Sequence, residues 1–126
     1  MILMDSSGWL AMLQRKPGYE AFLQRLRGAE QVLVPTIVLC EVYKVVYRLR
    51  GVGEAVQAAA LLRQYELVPL DEGVAIHAAE LAVDEKLSTA DAIIYATAQM
   101  HEAVLITGDA HFRRLAGVEY LVWKDE

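Results

Sequence analysis

The chain alternates short, wholly apolar runs with longer stretches in which apolar residues recur every three or four positions. The continuous runs predict strands buried on both faces, and the helical period predicts helices between them. A first strand covers Ile2 to Met4, and a helix runs from Ser6 to about Gln14. Lys16-Pro17-Gly18 breaks the chain; Pro17 suits a helix start, and a helix follows from Tyr19 to Arg27 with Gly28 as its stop. Val32 to Val34 is a second strand, closed by Pro35. Thr36 is expected to cap a long helix to about Arg50, ended by Gly51-Val52-Gly53. Glu54 to Gln64 is helical, and Leu67 to Leu70 is a third strand. Asp71 caps a helix from Glu72 to about Lys86, and Leu87-Ser88-Thr89 starts another to His101. Val104 to Thr107 is a fourth strand, Gly108-Asp109 turns into a short helix through Arg114, and Glu119 to Trp123 is the last strand.

Apolar strands separated by helices indicate a parallel sheet with both faces covered. The expected fold class is α/β, a three-layer α/β/α sandwich with a mainly parallel sheet of about five strands joined by right-handed crossovers. In such sheets ligands sit outside the carboxyl ends of the strands. Asp5, the residue that ends the first strand, therefore stands where chemistry is expected.

Composition narrows the classes. At 126 residues the chain can bury a core without disulfides or a structural metal. The lone cysteine, Cys40, can form neither an internal disulfide nor a cysteine zinc site, and is read as a small buried hydrophobe. Hydrophobic residues make up 56%, which hints at apolar surface kept for a partner. Val32 to Cys40 is too short for a membrane helix, and Met1 to Met4 lacks the basic start of a signal peptide. A cytoplasmic protein with no membrane contact is expected. The net charge of −5 argues against simple coating of nucleic acid, but not against a nuclease whose acids surround metal ions.

Four carboxylates stand out by position: Asp5 after strand one, Glu41 in the helix after strand two, Asp91 early in the helix Ser88 to Ala96, and Asp109 after strand four. Singly, each has a plain structural explanation. Asp5 and Asp109 suit helix caps, Asp91 suits a positive first turn, and Glu41 can pair with Lys44. Jointly they read differently. Glu41 and Asp91 lie in apolar helix faces expected to point at the sheet, and buried carboxylates require a partner or a metal. Few basic residues are near in sequence, and hard oxygen ligands suit Mg²⁺ or Mn²⁺. No His/Cys set has zinc spacing, and there is no glycine-rich phosphate loop.

With these residues the chain resembles a PIN domain, specifically the small VapC-type toxins of toxin–antitoxin pairs. The resemblance spans nearly the whole chain. It rests on Asp5-Ser6-Ser7, on Glu41, on Asp91-Ala92-Ile93-Ile94-Tyr95-Ala96-Thr97-Ala98, and on Thr107-Gly108-Asp109-Ala110-His111-Phe112. Many family members have Asn where Gly108 stands, a difference that touches the loop rather than the acidic set. The resemblance implies a single PIN-like domain over residues 1–126 and a Mg²⁺- or Mn²⁺-dependent endoribonuclease. Asp5, Glu41, Asp91 and Asp109 would be its metal-binding and catalytic acids. Thr107 and Ser6 would be supporting hydroxyls that orient a carboxylate or a water. An RNA substrate, an inhibitory antitoxin and a homodimer are the partners it implies.

Other residues divide between roles. Lys44, Arg48, Arg50, Arg15 and Lys16, and likewise Arg113 and Arg114, either flank the acids and hold phosphates or form solvated faces. His111 either moves protons or packs near the turn. Trp9, Tyr43 and Tyr47 either stack on bases or belong to the core or an interface. His77 and His101 carry no assigned function. The alternatives are a PIN-like interaction module without catalysis and a Mg²⁺-dependent phospho-receiver domain. A receiver needs an acidic pair after strand one and an acceptor Asp ending a middle strand. Here Asp5-Ser6-Ser7 and Pro35-Thr36 stand in those places.

Overall fold

A computed structural model describes residues 1–121; Val122 and Trp123, the end of the predicted last strand, lie outside the described residues. The order is β1 (Ile2–Met4), α1 (Ser6–Gln14), α2 (Tyr19–Gly28), β2 (Val32–Pro35), α3 (Thr36–Arg50), α4 (Val52–Leu62), β3 (Glu66–Val68), α5 (Glu72–Asp84), α6 (Thr89–Met100), β4 (Val104–Thr107), a short 3-10 turn (Ala110–Phe112) and β5 (Val118–Tyr120). The expected α/β architecture is present, and every strand pair in the five-stranded sheet is parallel.

Strand order is β3-β2-β1-β4-β5. The chain builds outward from β1 to one edge, then crosses over to build the other side. With right-handed crossovers, α1 to α4 cover one face and α5 and α6 the other. The order also differs from the 2-1-3-4-5 sheet of receiver domains, which removes that alternative. The reversal falls between β1 and β4, whose register pairs Leu3 with Leu105 and Met4 with Ile106. Such a switch point opens a crevice at the strand ends, and here Asp5 and Thr107 are the next residues on either side of it.

The core explains why β1 sits centrally. Leu3 and Met4 are fully buried, as are Leu33, Val34, Leu105 and Ile106 on its neighbours. Gly8 lets α1 approach closely. A Cβ there would lie 2.6 Å from Met4 Cγ and 2.9 Å from Phe22 Cδ1, both in buried side chains. Gly8→Val is expected to destabilise the fold by about 2–3 kcal/mol through overpacking, as read by urea denaturation. An unchanged midpoint would mean that Met4 and Phe22 repack freely. On the opposite side, α6 is buried continuously from Ala92 to Ala98, so Asp91, in its first turn, directly precedes a fully buried stretch.

Several boundaries differ from expectation. Pro35, not Thr36, is the cap position of α3, and Thr36 is its first helical residue without a side-chain cap bond. Gly51 alone breaks α3 from α4: its φ of 87° reorients the chain, and Val52 and Gly53 are already helical. The third strand is Glu66–Val68, so Pro69 and Leu70 fall beyond it. Cys40 is exposed, contrary to its expected burial. Val38, Val42 and Val46 form the buried stripe of α3, and Cys40, midway between the first two, turns outward.

Candidate active site

Asp5 is the most constrained acid. It is 2% exposed and is the cap of α1, with Oδ1 accepting from Gly8 N at 3.2 Å. Oδ1 also accepts from Ser7 Oγ at 2.6 Å, and Oδ2 accepts from Thr107 Oγ1 at 2.6 Å. Oδ1 thus holds two donors and Oδ2 one, leaving acceptor capacity on Oδ2. Burial raises its pKa from 3.8 to about 6. The hydrogen bonds from Ser7, Thr107 and Gly8 pull the other way, and the negative charge of Asp109 adds to the rise.

The two hydroxyls also fix the loop after β4. Thr107 Oγ1 accepts from Asp109 N at 2.9 Å, and Ser7 Oγ accepts from Gly108 N at 2.9 Å. Asp109 in turn caps the 3-10 turn, accepting from His111 N at 2.9 Å. Its Oδ1 lies 3.2 Å from His111 Nδ1. Ligand atoms of Asp91, Asp109 and His111 all fall within 4.8 Å of one another. Asp91 stands in the first turn of α6, its pKa raised by partial burial and by the charge of Asp109, against the lowering effect of Ser88 and His111. Glu41 joins through Ser6, whose Oγ donates to Glu41 Oε1 at 2.8 Å, one residue from Asp5.

The plain structural roles therefore coexist with the convergence. Asp5 and Asp109 do cap helical segments. Glu41 and Asp91 are half-buried rather than buried, and only Asp5 is sealed from water. The Lys and Arg ion pairs among the described residues involve other acids: Arg25 with Glu119, Arg50 with Glu54, and Arg114 with Glu85. Glu41 has no ion pair with Lys44, which instead lines an α3–α4 groove with Tyr43 and Arg63. Ser7, which sequence reasoning passed over, is the residue that ties Asp5 to the β4 loop. Its signal was a second hydroxyl directly after Asp5-Ser6, placed to bond back to the cap carboxylate.

Other weighed residues are moved away. Arg15 and Lys16 follow the end of α1 that points away from Asp5, and Arg48 and Arg50 lie near the corresponding end of α3. Tyr43 and Tyr47 stack on each other, centroids 6.1 Å apart. Trp9 is a fully buried core residue against Tyr65. His111 moves in the other direction, into the acidic cluster.

A PIN domain family profile matches residues 2–118. The chain belongs to the PIN domain family. The fold of this PIN domain is shared with solved structures of low sequence identity. A toxin–antitoxin complex from Klebsiella pneumoniae has 23% identity and a TM-score of 0.85, over 98% of this chain and 100% of that one. VapC20 of Mycobacterium tuberculosis, described as a sarcin-ricin loop cleaving toxin, has 20% identity and a TM-score of 0.77, over 92% and 95%. VapBC2 of Rickettsia felis, bound to a DNA fragment from its promoter, has 19% identity and a TM-score of 0.76, over 98% and 100%. No curated protein matches this PIN domain in sequence. Among the described residues, no helix is long and apolar enough to cross a membrane.

Proposed function

We propose that this PIN domain is a Mg²⁺- or Mn²⁺-dependent endoribonuclease of the VapC kind, restrained by a cognate antitoxin. The observation that supports the reading is the cluster of Asp91, Asp109 and His111 beside the β1/β4 switch point, with Asp5 near enough to feel the charge of Asp109, Glu41 joined to the residue after Asp5 through Ser6, and no Lys or Arg ion pair on any of these acids among the described residues. Mutually repelling carboxylates with spare acceptor capacity fit a hard divalent cation. Asp5, Glu41, Asp91 and Asp109 would hold it.

When bound, such an ion supplies Lewis acidity, generating a nucleophile from water and offsetting charge on the phosphodiester. Thr107 and Ser7 lock the Asp5 carboxylate in one orientation, and Ser6 does the same for Glu41. The 2′-hydroxyl is not needed as nucleophile, so the choice of RNA leans on the relatives rather than on the chemistry. The exposed apolar side chains of Leu49, Val52 and Val56 on α3 and α4 suit an antitoxin segment, or the homodimer contact that goes with this reading.

The test is cleavage of total cellular RNA by purified protein. Mn²⁺ or Mg²⁺ is expected to support cutting and EDTA to abolish it. Full activity in EDTA would overturn the proposal. Independently of activity, a saturating cation is expected to stabilise the fold, by about 2.7 kcal/mol at a hundredfold excess over Kd. Thermal melts that do not move with Mn²⁺ would argue for the interaction-module alternative.

A further inference from the structure

A cavity of about 420 Å³ opens beside the acidic cluster, between the α5–α6 connection and the turn after β4. It is lined by Asp91 and His111, two members of the cluster, and by Lys86, Ser88 and Arg114. We propose that Lys86 and Arg114 form a phosphate clamp that grips the RNA strand at a phosphate flanking the scissile one. The clamp rests on the ribonuclease reading above.

A site rich in carboxylates on a chain of net charge −5 repels a polyanion, so substrate needs local cations. The other candidates are engaged elsewhere. Lys44 lies in the α3–α4 groove, Arg113 lies over the Tyr120 ring at 5.8 Å, and Arg15 and Lys16 sit at the far end of α1. Arg114 is held in place by Glu85. Its Nη1 donates to Glu85 Oε1 at 3.0 Å and its Nη2 to the Glu85 carbonyl, while the remaining donors of the fork stay available. A guanidinium fixed this way suits phosphate oxygens. Lys86 has no hydrogen bond or ion pair among the described residues. It also occupies a position made for glycine. Its φ is 57°, and Leu87 N closes the end of α5 on the Ala82 carbonyl at 3.1 Å. A lysine there meets a backbone penalty, and Lys86 lines the cavity.

That geometry supplies a clean variant. Lys86→Gly removes the ammonium while suiting the backbone, so a defect cannot come from misfolding. Binding of a fluorescein-labelled stem-loop RNA is measured by anisotropy in Mg²⁺, on the full chain carrying Asp5→Asn. Adding Lys86→Gly or Arg114→Gln is expected to weaken Kd by about 3–10-fold near 0.1 M salt and to lower the salt slope by about 0.7–1 per contact. In the cleaving protein, KM rises with kcat nearly unchanged, and Lys86→Arg restores both binding and KM. Arg113→Gln changes neither. Unchanged Kd and slope in Lys86→Gly, with cleavage by the wild type intact, overturn the clamp alone. An equal loss in Arg113→Gln overturns it too, since the effect is then general charge. If the wild type neither binds nor cuts RNA, the ribonuclease reading falls and the clamp falls with it.

Discussion

Asp5→Asn is expected to reduce RNA cleavage by a factor on the order of 10²–10³ or more, while making the metal-free protein more stable at neutral pH. Both effects come from the same buried charge. Folding raises the Asp5 pKa from 3.8 to about 6, chiefly by desolvation. Between those values the folded protein keeps a proton that the unfolded chain has released. Stability contributed by the protonated carboxyl is complete below 3.8 and falls as pH rises through about 6. At about 1.36 kcal/mol per unit, the ionised carboxylate costs the fold about 3 kcal/mol above that window. Asparagine carries no charge to desolvate. It keeps an acceptor for Ser7 and Gly8, but its amide meets Thr107 Oγ1 where a carboxylate oxygen stood, which costs about 1 kcal/mol. A net gain of about 2 kcal/mol at pH 7.5 in EDTA is expected, shrinking and then reversing towards pH 4. Melting curves of both proteins across pH 4–8 check this. A variant destabilised equally at both ends of the range would mean that Asp5 is not strained by its charge. Mn²⁺ is expected to raise the wild-type curve and leave the variant nearly unmoved.

Trp9→Ala is expected to cost about 3–5 kcal/mol, a large share of a small domain's stability. The ring is fully buried and lies 5.4 Å from that of Tyr65 at 52°. Its removal leaves a cavity between α1 and the α4–β3 turn. Trp9→Phe sharpens the test. Among the described residues, Trp9 Nε1 is the buried side-chain polar atom without a hydrogen-bond partner. An orphaned donor costs about 1–3 kcal/mol, so losing it offsets much of the lost packing. Phenylalanine is therefore expected to fall within about 1 kcal/mol of the wild type. Urea denaturation followed by circular dichroism reads both variants. A Phe variant as unstable as the Ala variant would mean that the indole nitrogen finds a partner in solution.

β1, β2 and β4 were legible because they are apolar runs buried almost throughout, whereas the edge strands β3 and β5 carry Glu66 and Glu119 and are less buried, and their bounds were displaced. Asp5, Asp91 and Asp109 were legible because each follows a strand or opens a helix, and Glu41 because it stands in an apolar stretch of α3. Less legible was anything set by backbone direction across the molecule. Lys44 looked placed beside Glu41, but three residues along α3 it turns into the groove against α4. Lys86 read as the trailing residue of a helix, and only the meeting of the α5–α6 connection with the β4 turn puts it beside Asp91. Ser7 and Ser6 are adjacent hydroxyls with equal claims in sequence. The helix start separates them, sending Ser7 to Asp5 and Ser6 to Glu41.

The strand order has a consequence for synthesis. Thr107, the partner of Asp5, and the neighbouring Asp109 are synthesised about a hundred residues after it, with β4 then pairing onto β1. Pairings so distant in sequence form slowly. A nascent chain thus carries one half of the crevice long before the other exists. Under the proposed ribonuclease reading, the site stays incomplete until β4 has emerged and docked, which leaves an interval in which an antitoxin would reach the apolar surface of α3 and α4 before the acids meet.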